Sequence, residues 1–491
     1  MNMKKSLIAL IAGTTMLAGC NLAPRYERPV GAVPVALPQG GVYPAAATDV
    51  VDVSRIGWQD FFLDPRLRQV IETGLANNRD LRIAAANVLQ ARAQLKVQRS
   101  SLFPTVNAGA TGTFTNNIAG ATGGTGGTGA GVVGGQDVEI YSVTAGVSAF
   151  ELDLFGRIRN LTRAAQEQFF ASEEAQRSTR ISLIAEIATA WLTMASDNEQ
   201  LRLSRETLKT FEETLRLTRE QFRIGVGSEL EVRQADTNYQ AAVNDIAALE
   251  ASVALDQNAL NLLVGTTVPQ EQLPAGLSAD PVTRDALPSD VSSDVLLRRP
   301  DVLGAEHKLI AENANIGAAR AAFFPTISLT GTIGTISTAL SGLFKSGTFT
   351  YTGSPGATLP LFDGGQRSGN LAYAKASQAA AVATYEKAIQ TAFREVSDAL
   401  AQRGKIGDQI RAQTNRAESA QVAARLSDAR FKAGVDSFLT SLDAQRTAYA
   451  AEQQLVTTRL SQSSNLVELY RSLGGGLGDP QSAAAAPSPQ N

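Results

Sequence analysis

The chain of 491 residues is nearly balanced in charge, with 44 Lys and Arg against 47 Asp and Glu and a formal net charge of -3. This balance gives no electrostatic case for nucleic-acid binding, which requires a clearly basic surface. One Cys and one His exclude an intrachain disulfide and a thiolate metal cluster, and they remove most catalysis by Ser–His or Cys–His pairs. The composition therefore argues against the common classes of enzyme, and we predict neither a cofactor nor a metal site.

Residues 1–19 have the order of a bacterial lipoprotein signal peptide. Two lysines precede the apolar run Ser6–Leu17, which is too short to span a bilayer. The run ends in Leu17-Ala18-Gly19-Cys20, which resembles the lipoprotein box, in which cleavage precedes a Cys that is then lipidated. An ordinary signal peptide with a chance Cys is the alternative, but the only Cys of the chain is Cys20, so we predict its lipidation. Asn21, which is not Asp, favours the outer membrane.

The sequence is a tandem duplication with a period of roughly 210 residues. Three pairs of segments match, at offsets of 221, about 207 and 209 residues: Leu75–Thr105 with Leu296–Thr326, Leu154–Gly156 with Leu361–Gly364, and Phe222–Ser228 with Phe431–Ser437. The fall in offset after the first pair indicates a longer connection in the first copy, where the Gly-rich stretch 120–135 lies. A duplication explains the length better than three unrelated domains.

Each copy is predicted to contain a helix, two strands, a long helix, a tight turn and a return helix. Residues 63–102 are rich in helix formers and have no Pro between Pro65 and Pro104, which predicts one helix. Residues 157–223 lack Pro and Gly, so they predict a helix about 100 Å long at 1.5 Å per residue. Apolar residues recur every seven positions along it, which is typical of coiled-coil packing: Ile187, Met194, Leu201, Leu208, Leu215 and Phe222.

The turns between the long helices carry specific end signals. Gly225 and Gly434 stand where a helix ends in a left-handed cap. Ser228 with Glu231 predicts a capping box at the start of the return helix, and Asp436 or Ser437 is the matching N-cap of the second copy. Each copy therefore forms a long antiparallel helical hairpin.

Four segments alternate small apolar with small hydroxylated residues, with a period of two. They begin near Val106, Tyr141, Ile327 and Phe349 and are joined by Gly-rich loops. Two soluble hairpins on a core are one interpretation. Strands of about 10 residues whose polar face carries Ser, Thr and Gly are typical of transmembrane barrels. Four strands cannot close a barrel, and lipid tolerates no open edge, so we predict a barrel shared between chains.

The motifs resemble those of TolC-like outer-membrane efflux channels, specifically lipoproteins of the NodT/OprM type, over almost the whole chain after Cys20. They are Gly57–Phe62, Asp64–Leu67, Phe150–Arg157, Leu297–Asp301, Pro360–Gly365 and Leu439–Arg446. The resemblance implies a homotrimer with a twelve-stranded barrel in the outer membrane, four strands per chain, and a tunnel of helices in the periplasm. It divides the chain into a signal peptide (1–19), an equatorial segment (20–63), repeat 1 (64–264), an equatorial linker (265–294), repeat 2 (295–473) and a disordered tail (474–491).

The resemblance also implies the functional residues. Leu439 and Asp443 match residues that form constriction rings at the periplasmic end of the tunnel, and Arg446 matches a residue of the links that hold it shut; a solvated charged face is the alternative. In the first copy the same positions hold Leu230, Gln234 and Thr237. The tips are expected to dock a periplasmic adaptor, with simple helix caps as the alternative: Gly225, Val226, Gly227, Ser228, Gly434, Val435, Asp436 and Ser437.

The predicted function is thus the passive outer-membrane duct of a tripartite efflux pump, with an adaptor and an inner-membrane resistance-nodulation-division pump as partners, outer-membrane lipid around the barrel, and no nucleic acid. A duct for type I protein secretion and a periplasmic adaptor lipoprotein are the alternatives. We interpret three other features as structural. The G-x-G-x-x-G match at 124–129 lacks the following helix of a dinucleotide site, His307 has no second His or Cys as a metal ligand, and Arg298 and Arg299 are expected to make structural ion pairs.

Overall fold

The structure is a computed structural model that describes residues 21–44, 56–115, 137–277, 282–284 and 292–475. Cys20, the signal peptide, the Gly-rich stretch and most of the predicted tail lie outside these residues. The chain divides into two compact units. We call them the sheet unit (Met1–Arg28, Leu89–Phe170 and Glu306–Ala383) and the helical unit (Pro29–Val88, Ala171–Ala305 and Thr384–Asn491).

The elements follow the predicted order in both copies. A short helix, α1 (Trp58–Phe61), precedes the first copy, which contains α2 (Pro65–Asn77), α3 (Arg79–Ser100), β1 (Val106–Thr115), β2 (Val138–Leu152), α4 (Arg157–Arg223) and α5 (Glu229–Val264). The second contains α6 (Pro300–Ala321), β3 (Thr326–Ser337), β4 (Phe349–Thr358), α7 (Gln366–Lys432) and α8 (Phe438–Ser472). Short 3-10 turns lie at Gln270–Gln272, Ser293–Arg298 and Leu340–Gly342. The two long helices, α4 and α7, have 67 residues each, which confirms the predicted duplication of long helical hairpins.

The single helix predicted over residues 63–102 is wrong, because Asn78 separates α2 from α3. Asn78 is buried and extended. Its side-chain amide donates to the Leu263 carbonyl at 2.8 Å, and its Oδ1 accepts from the Leu81 backbone N–H at 2.8 Å. The Asn78 side chain thus caps the start of α3 and binds a carbonyl at the end of α5. These side-chain hydrogen bonds compensate for the interruption of the helix at this position.

The strands form one antiparallel sheet in the order β1-β2-β3-β4. Val106 lies opposite Val147, and Thr326 lies opposite Thr358. The central pair, β2 with β3, joins the two copies and keeps one register from Tyr141 to Val147 before a bulge. The edges of the sheet are therefore β1, from the first copy, and β4, from the second.

The helical unit is held together by apolar heptad positions and by one buried arginine. Ile187 and Met194 are buried, as the heptad pattern predicts. Arg299 is only 5% exposed, and its guanidinium contacts Asp301 at 2.8 Å, Glu395 at 2.9 Å and the Ser472 carbonyl at 2.7 Å. The predicted structural role of Arg299 is confirmed, because the partners of the guanidinium lie on α6, α7 and the end of α8.

Among the described residues, no helix is both long enough and apolar enough to cross a membrane.

Candidate functional site

The first hairpin ends in a tight turn that the sequence specifies residue by residue. Gly225 has φ +82°, its N–H donates to the Phe222 carbonyl at 3.0 Å, and the Val226 N–H donates to the Gln221 carbonyl at 2.9 Å. This pair of bonds is a Schellman motif, which requires the left-handed conformation that glycine adopts without strain. The predicted capping box is confirmed, because Ser228 and Glu231 exchange side-chain and backbone hydrogen bonds.

The second tip has the same turn with one charged addition. Gly434 has φ +73°, and the Val435 N–H donates to the Arg430 carbonyl at 2.9 Å. Of the two predicted N-caps, Ser437 is the one that caps α8, since its Oγ accepts from the Thr440 N–H at 3.3 Å. Asp436 instead forms a two-point ion pair with Arg430, at 2.7 and 2.9 Å. The hydrogen bond from Arg430 lowers the pKa of Asp436.

Both tips present small and apolar groups on an open surface. Val226 is 73% exposed and Val435 is 63% exposed. A Cβ placed on Gly225 or Gly434 would meet nothing within 4 Å. A partner can therefore approach the backbone of these turns without first displacing a side chain.

Behind the tips the two hairpins share an apolar cluster. Leu215 and Ala235 of the first hairpin are buried against Phe438 and Leu442 of the second. This contact fixes which face of α8 points into the unit and which face points away.

The three predicted gate residues lie on the outward face of α8. Leu439 is 59% exposed, and Asp443 and Arg446 are exposed as well. On the adjoining face Phe438, Ser441, Leu442 and Gln445 are buried. Helical spacing thus places the predicted leucine, aspartate and arginine on one free surface, as the sequence predicts.

Neither Asp443 nor Arg446 has a hydrogen-bonding or ionic partner within the described residues, although they stand three positions apart. Other charges in this region are paired inside the chain: Arg430 with Asp436, Lys432 with Asp428 and Arg219 with Asp236. The ion pair that an i, i+3 spacing would allow between them is therefore not formed. Both charged groups remain available to groups outside the chain.

The three corresponding positions of α5 carry no charged side chain. Leu230 is 66% exposed, Gln234 is half-buried, and the Thr237 hydroxyl donates to the Arg233 carbonyl at 2.8 Å. Only the second hairpin therefore presents an acid and a base at these positions.

Two polar contacts between helices escaped the sequence analysis. The Tyr449 hydroxyl lies 2.7 Å from Ser204 Oγ and 3.1 Å from Asp245 Oδ2, and it joins α8 to α4 and α5. Burial and the nearby Asp245 raise the pKa of Tyr449 to about 12. The carboxyl groups of Asp197 on α4 and Asp256 on α5 form a second contact, a carboxyl pair. Both contacts could have been sought from the sequence. In an antiparallel hairpin, residues of α4 and α5 that lie about equally far from the turn at Gly225–Ser228 are neighbours, as the residues of these two contacts are.

The carboxyl pair makes stability depend on pH. Burial and the charge of Asp197 raise the pKa of Asp256 to about 6, whereas an Asp in an unfolded chain has a pKa of about 3.9. The folded state therefore binds this proton more tightly, so the contribution of Asp256 to stability is highest below about pH 4 and falls as pH rises through about 6. We expect Asp256→Asn to raise the melting temperature at pH 8 and to leave it nearly unchanged at pH 4.

Circular dichroism melts of the purified protein at the two pH values test this expectation. Asp398→Asn, which alters an exposed acid in the interior of α7, is the control and should change neither melt. An equal shift of the Asp256→Asn protein at both pH values would contradict a titrating pair.

The sole histidine makes structural contacts in the sheet unit. His307 Nδ1 lies 2.7 Å from Glu167 Oε2, and its ring lies 5.3 Å from that of Phe170. In the part of the chain that the structure describes, no group of three or more His, Cys, Asp or Glu residues is placed to hold a metal ion. The G-x-G-x-x-G match at 124–129 lies outside the described residues.

Comparison with known proteins agrees with this architecture. A family model described as outer membrane efflux protein matches residues 70–266 and 291–475, one segment in each copy. The chain is 44% identical over 475 residues to the probable efflux pump outer membrane protein TtgC of Pseudomonas putida, covering 96% of both proteins. It is 36% identical to the cation efflux system protein CusC of Escherichia coli, covering 94% of this chain and 97% of that protein.

Solved structures of channels share the fold. The open state of the MtrE outer membrane channel of Neisseria gonorrhoeae superposes with a TM-score of 0.82 at 37% identity, covering 93% of this chain and 99% of that one. The structure of CusC gives a TM-score of 0.81 at 35% identity, with coverage of 93% and 100%.

Proposed function

Because this chain belongs to the outer membrane efflux protein family, we propose how its residues carry out the transport that defines the family. The chain is an outer-membrane exit duct of an efflux system and not an enzyme. Its proposed working form is a trimer that receives substrate through a periplasmic adaptor from an inner-membrane resistance-nodulation-division pump. The duct itself is passive, and the pump supplies the energy.

The observation that carries the proposal is the outward face of α8. Leu439, Asp443 and Arg446 are exposed there, and the two charged groups have no partner within the described residues. Around a threefold axis they would form a ring of leucines, a ring of carboxylates and a set of links between neighbouring copies. Such rings form a closable constriction, as an iris-like gate requires.

The proposed cargo is apolar organic compounds and antibiotics. The relatives at 44% identity are named as efflux proteins for toluene and for antibiotics, whereas the relative named for cation efflux is 36% identical. Secretion of proteins is the second candidate function, and it predicts a different phenotype for a strain that lacks the protein.

Deletion of the gene tests the transport proposal. A strain without the protein should accumulate a fluorescent dye and become more sensitive to toluene and lipophilic antibiotics, and a plasmid copy should restore both phenotypes. Deletion of the partner pump should give the same phenotype, and deletion of both genes should give no larger effect than either single deletion. Unchanged accumulation together with the loss of a protein from the culture medium would instead support type I secretion.

We also propose that Cys20 carries the lipid anchor, on the basis of the box at Leu17–Cys20. Cys20→Ser should abolish incorporation of labelled palmitate, and part of the protein should remain in the outer membrane because the strands hold it there independently. Continued labelling of the Ser variant would contradict the lipid assignment.

A further inference from the structure

The N-terminal segment, residues 21–28, lies along one face of α6. Arg320, in the last turn of α6, donates from its guanidinium to the Leu22 carbonyl at 3.0 Å, and the Asn313 side-chain amide donates to the Pro24 carbonyl at 2.7 Å. The earlier residue of the segment bonds nearer the end of the helix, so the segment runs antiparallel to α6. One face of α6 is therefore covered by backbone of the same chain.

Two further residues of this face are fitted to the segment. A Cβ placed on Gly317 would lie 2.8 Å from Ala23, so a side chain there would displace the segment. Glu306 is 7% exposed, and its carboxylate accepts from the Tyr26 hydroxyl at 2.8 Å and from two guanidinium nitrogens of Arg28 at 2.8 and 2.7 Å. The residues on this face of α6 thus supply the shape and the charge that the segment requires.

The duplication places the corresponding face of α3 221 positions earlier in the chain, and its chemistry is different. Three cations stand there at the positions of Asn313, Gly317 and Arg320: Arg92, Lys96 and Arg99. All three are exposed, and none of the residues of α3 is buried. The face that binds the N-terminal segment in the second copy is therefore open and cationic in the first.

These cations have no counter-charge within the part of the chain that the structure describes. None of the three makes a side-chain hydrogen bond or an ion pair with a described residue, and the sequence contains no Asp or Glu in residues 81–136. Elsewhere in the sheet unit Arg157 pairs with Glu151 at 2.5 Å, and Arg367 pairs with Asp363 at 2.6 Å. The charge on α3 therefore remains available to a group outside the chain.

The three side chains form one surface. They follow each other at spacings of four and three positions, which puts them on one helix face and spreads them over about 10 Å of the helix axis. With Leu89 and Phe103 they line an open groove of about 620 Å³. Both apolar side chains are exposed, and Phe103 lies between α3 and β1, so the groove extends to the start of the sheet. Cations beside exposed apolar side chains are typical of a surface that binds the membrane interface.

We propose that this face of α3 binds the phosphate of an anionic phospholipid, in the leaflet that meets the helical end of the sheet. Guanidinium and ammonium groups form charge-assisted hydrogen bonds with phosphate oxygens, and Phe103 lies at the boundary with the acyl chains. The duplication supports a lipid as the occupant, because the segment on the equivalent face of α6 leads, two residues before Leu22, to the proposed lipid anchor Cys20. The inference rests on the proposed duct and anchor, and it adds a headgroup site in the first copy.

Native mass spectrometry of the purified protein tests the site, with dioleoylphosphatidylglycerol and dioleoylphosphatidylcholine as probes. The wild type should retain phosphatidylglycerol and little phosphatidylcholine. The triple variant Arg92→Gln, Lys96→Gln and Arg99→Gln should bind phosphatidylglycerol about 100-fold more weakly, because each cation near an anionic lipid surface contributes about fivefold to the affinity.

A matched control removes the same charge at a distance from the sheet. Lys209→Gln, Arg416→Gln and Arg425→Gln together alter three exposed cations that lie about 75 Å or more along α4 and α7 from the sheet. This variant should bind phosphatidylglycerol like the wild type. Inorganic phosphate at the concentration of the lipid should not displace it, which separates a phospholipid site from a site for free phosphate.

Fluorescence in vesicles tests whether the lipid lies at this face. Phe103→Trp puts an indole in the groove, while the two native tryptophans, Trp58 and Trp191, are buried and give a constant background. Phosphatidylglycerol with brominated acyl chains should quench the introduced indole more strongly than brominated phosphatidylcholine does. The triple Gln variant in the same background should lose this difference.

The outcomes separate this inference from the proposed function. Equal quenching by the two brominated lipids, wild-type affinity of the triple Gln variant for phosphatidylglycerol, or displacement of the lipid by inorganic phosphate would each overturn the inference. A triple Gln variant that binds the lipid normally but loses crosslinks to a protein in cells would assign the face to an acidic protein instead. An inserted, conducting protein without a lipid preference leaves the duct proposal in place, whereas a wild-type protein that inserts into vesicles of neither lipid would remove it.

Discussion

Replacing both Asp443 and Arg446 by Ala is expected to raise the single-channel conductance of the protein in planar bilayers and to make cells sensitive to vancomycin. The two residues are exposed on the outward face of α8, and neither has a partner within the described residues. In the proposed trimeric gate their nearest partners would be the same residues of the neighbouring copies. Removing both should therefore remove every link that this pair makes across the proposed constriction.

The energies of such ion pairs determine how far they can favour the closed state. Exposed ion pairs contribute about 0.2–1 kcal/mol each, so three of them shift the ratio of closed to open states by about threefold to 150-fold. Repulsion between carboxylates about 4 Å apart in water is only about 1 kcal/mol, so the acidic ring alone neither locks nor opens the tube. Such links would be weak singly and sufficient together, as a gate that is opened by a docking partner requires.

Two variants sharpen this test. Gln234→Ala with Thr237→Ala changes the corresponding positions of α5, which carry no charge, and should leave conductance unchanged. Exchanging the charges, Asp443→Arg with Arg446→Asp, should preserve closure if the links are ionic. A ring of Asp443 carboxylates should make the wild-type pore prefer cations, and the exchange should weaken that preference. If the double alanine variant has an intact trimer, wild-type conductance and wild-type ion selectivity, the gate assignment is wrong and the two residues only form a solvated charged surface.

The helical architecture was predictable because its signals are local. Gly225 ends α4 and Ser228 begins α5 through hydrogen bonds to residues within six positions of the turn. The second copy repeats these signals. The break at Asn78 was not predictable, because nothing next to it in the sequence forbids a helix. Its side chain bonds to the Leu263 carbonyl, 185 positions away, and only the folded chain brings that acceptor near.

The candidate site was predictable in position but not in partners. Spacing alone placed Leu439, Asp443 and Arg446 on one face of α8, and all three side chains are exposed there, beside the face that packs Leu442 into the apolar cluster. Spacing also allowed an ion pair between Asp443 and Arg446, which the structure does not form. Side-chain pairing on a helix surface is worth a few tenths of a kcal/mol, too little for sequence spacing to decide it.

Substituting Asn for both Gly225 and Gly434 is expected to abolish crosslinking to the adaptor and to remove efflux, while the trimer persists. Both positions have positive φ, so a bulky residue there would strain the helix cap itself. Asn tolerates the left-handed conformation, and a Cβ at either position meets nothing within 4 Å of the chain. The Asn variant therefore adds bulk to the outer surface of the tip and leaves the turn intact.

Val226→Asp with Val435→Asp provides an independent disruption of the same surface. These valines are 73% and 63% exposed, so the change leaves the core of the protein untouched, but it places a charge where a partner would bury an apolar group. A loss of about 1.4 kcal/mol at the docking surface lowers adaptor affinity about tenfold, and two tips in each of three copies multiply the effect. Photocrosslinking to the adaptor in cells and dye efflux are the measurements.

The two possible roles of the tip glycines, helix capping and adaptor docking, predict opposite results for these variants. If the glycines serve only as caps, Gly225→Ala and Gly434→Ala, which strain the left-handed conformation, should lower the melting temperature, whereas the Asn and Asp variants should pump dye normally. If the tips dock the adaptor, Asn and Asp should block transport at an unchanged melting temperature, because the clash and the charge arise only when a partner approaches. Normal efflux by both the Asn and the Asp variants would therefore place the adaptor elsewhere on the hairpins.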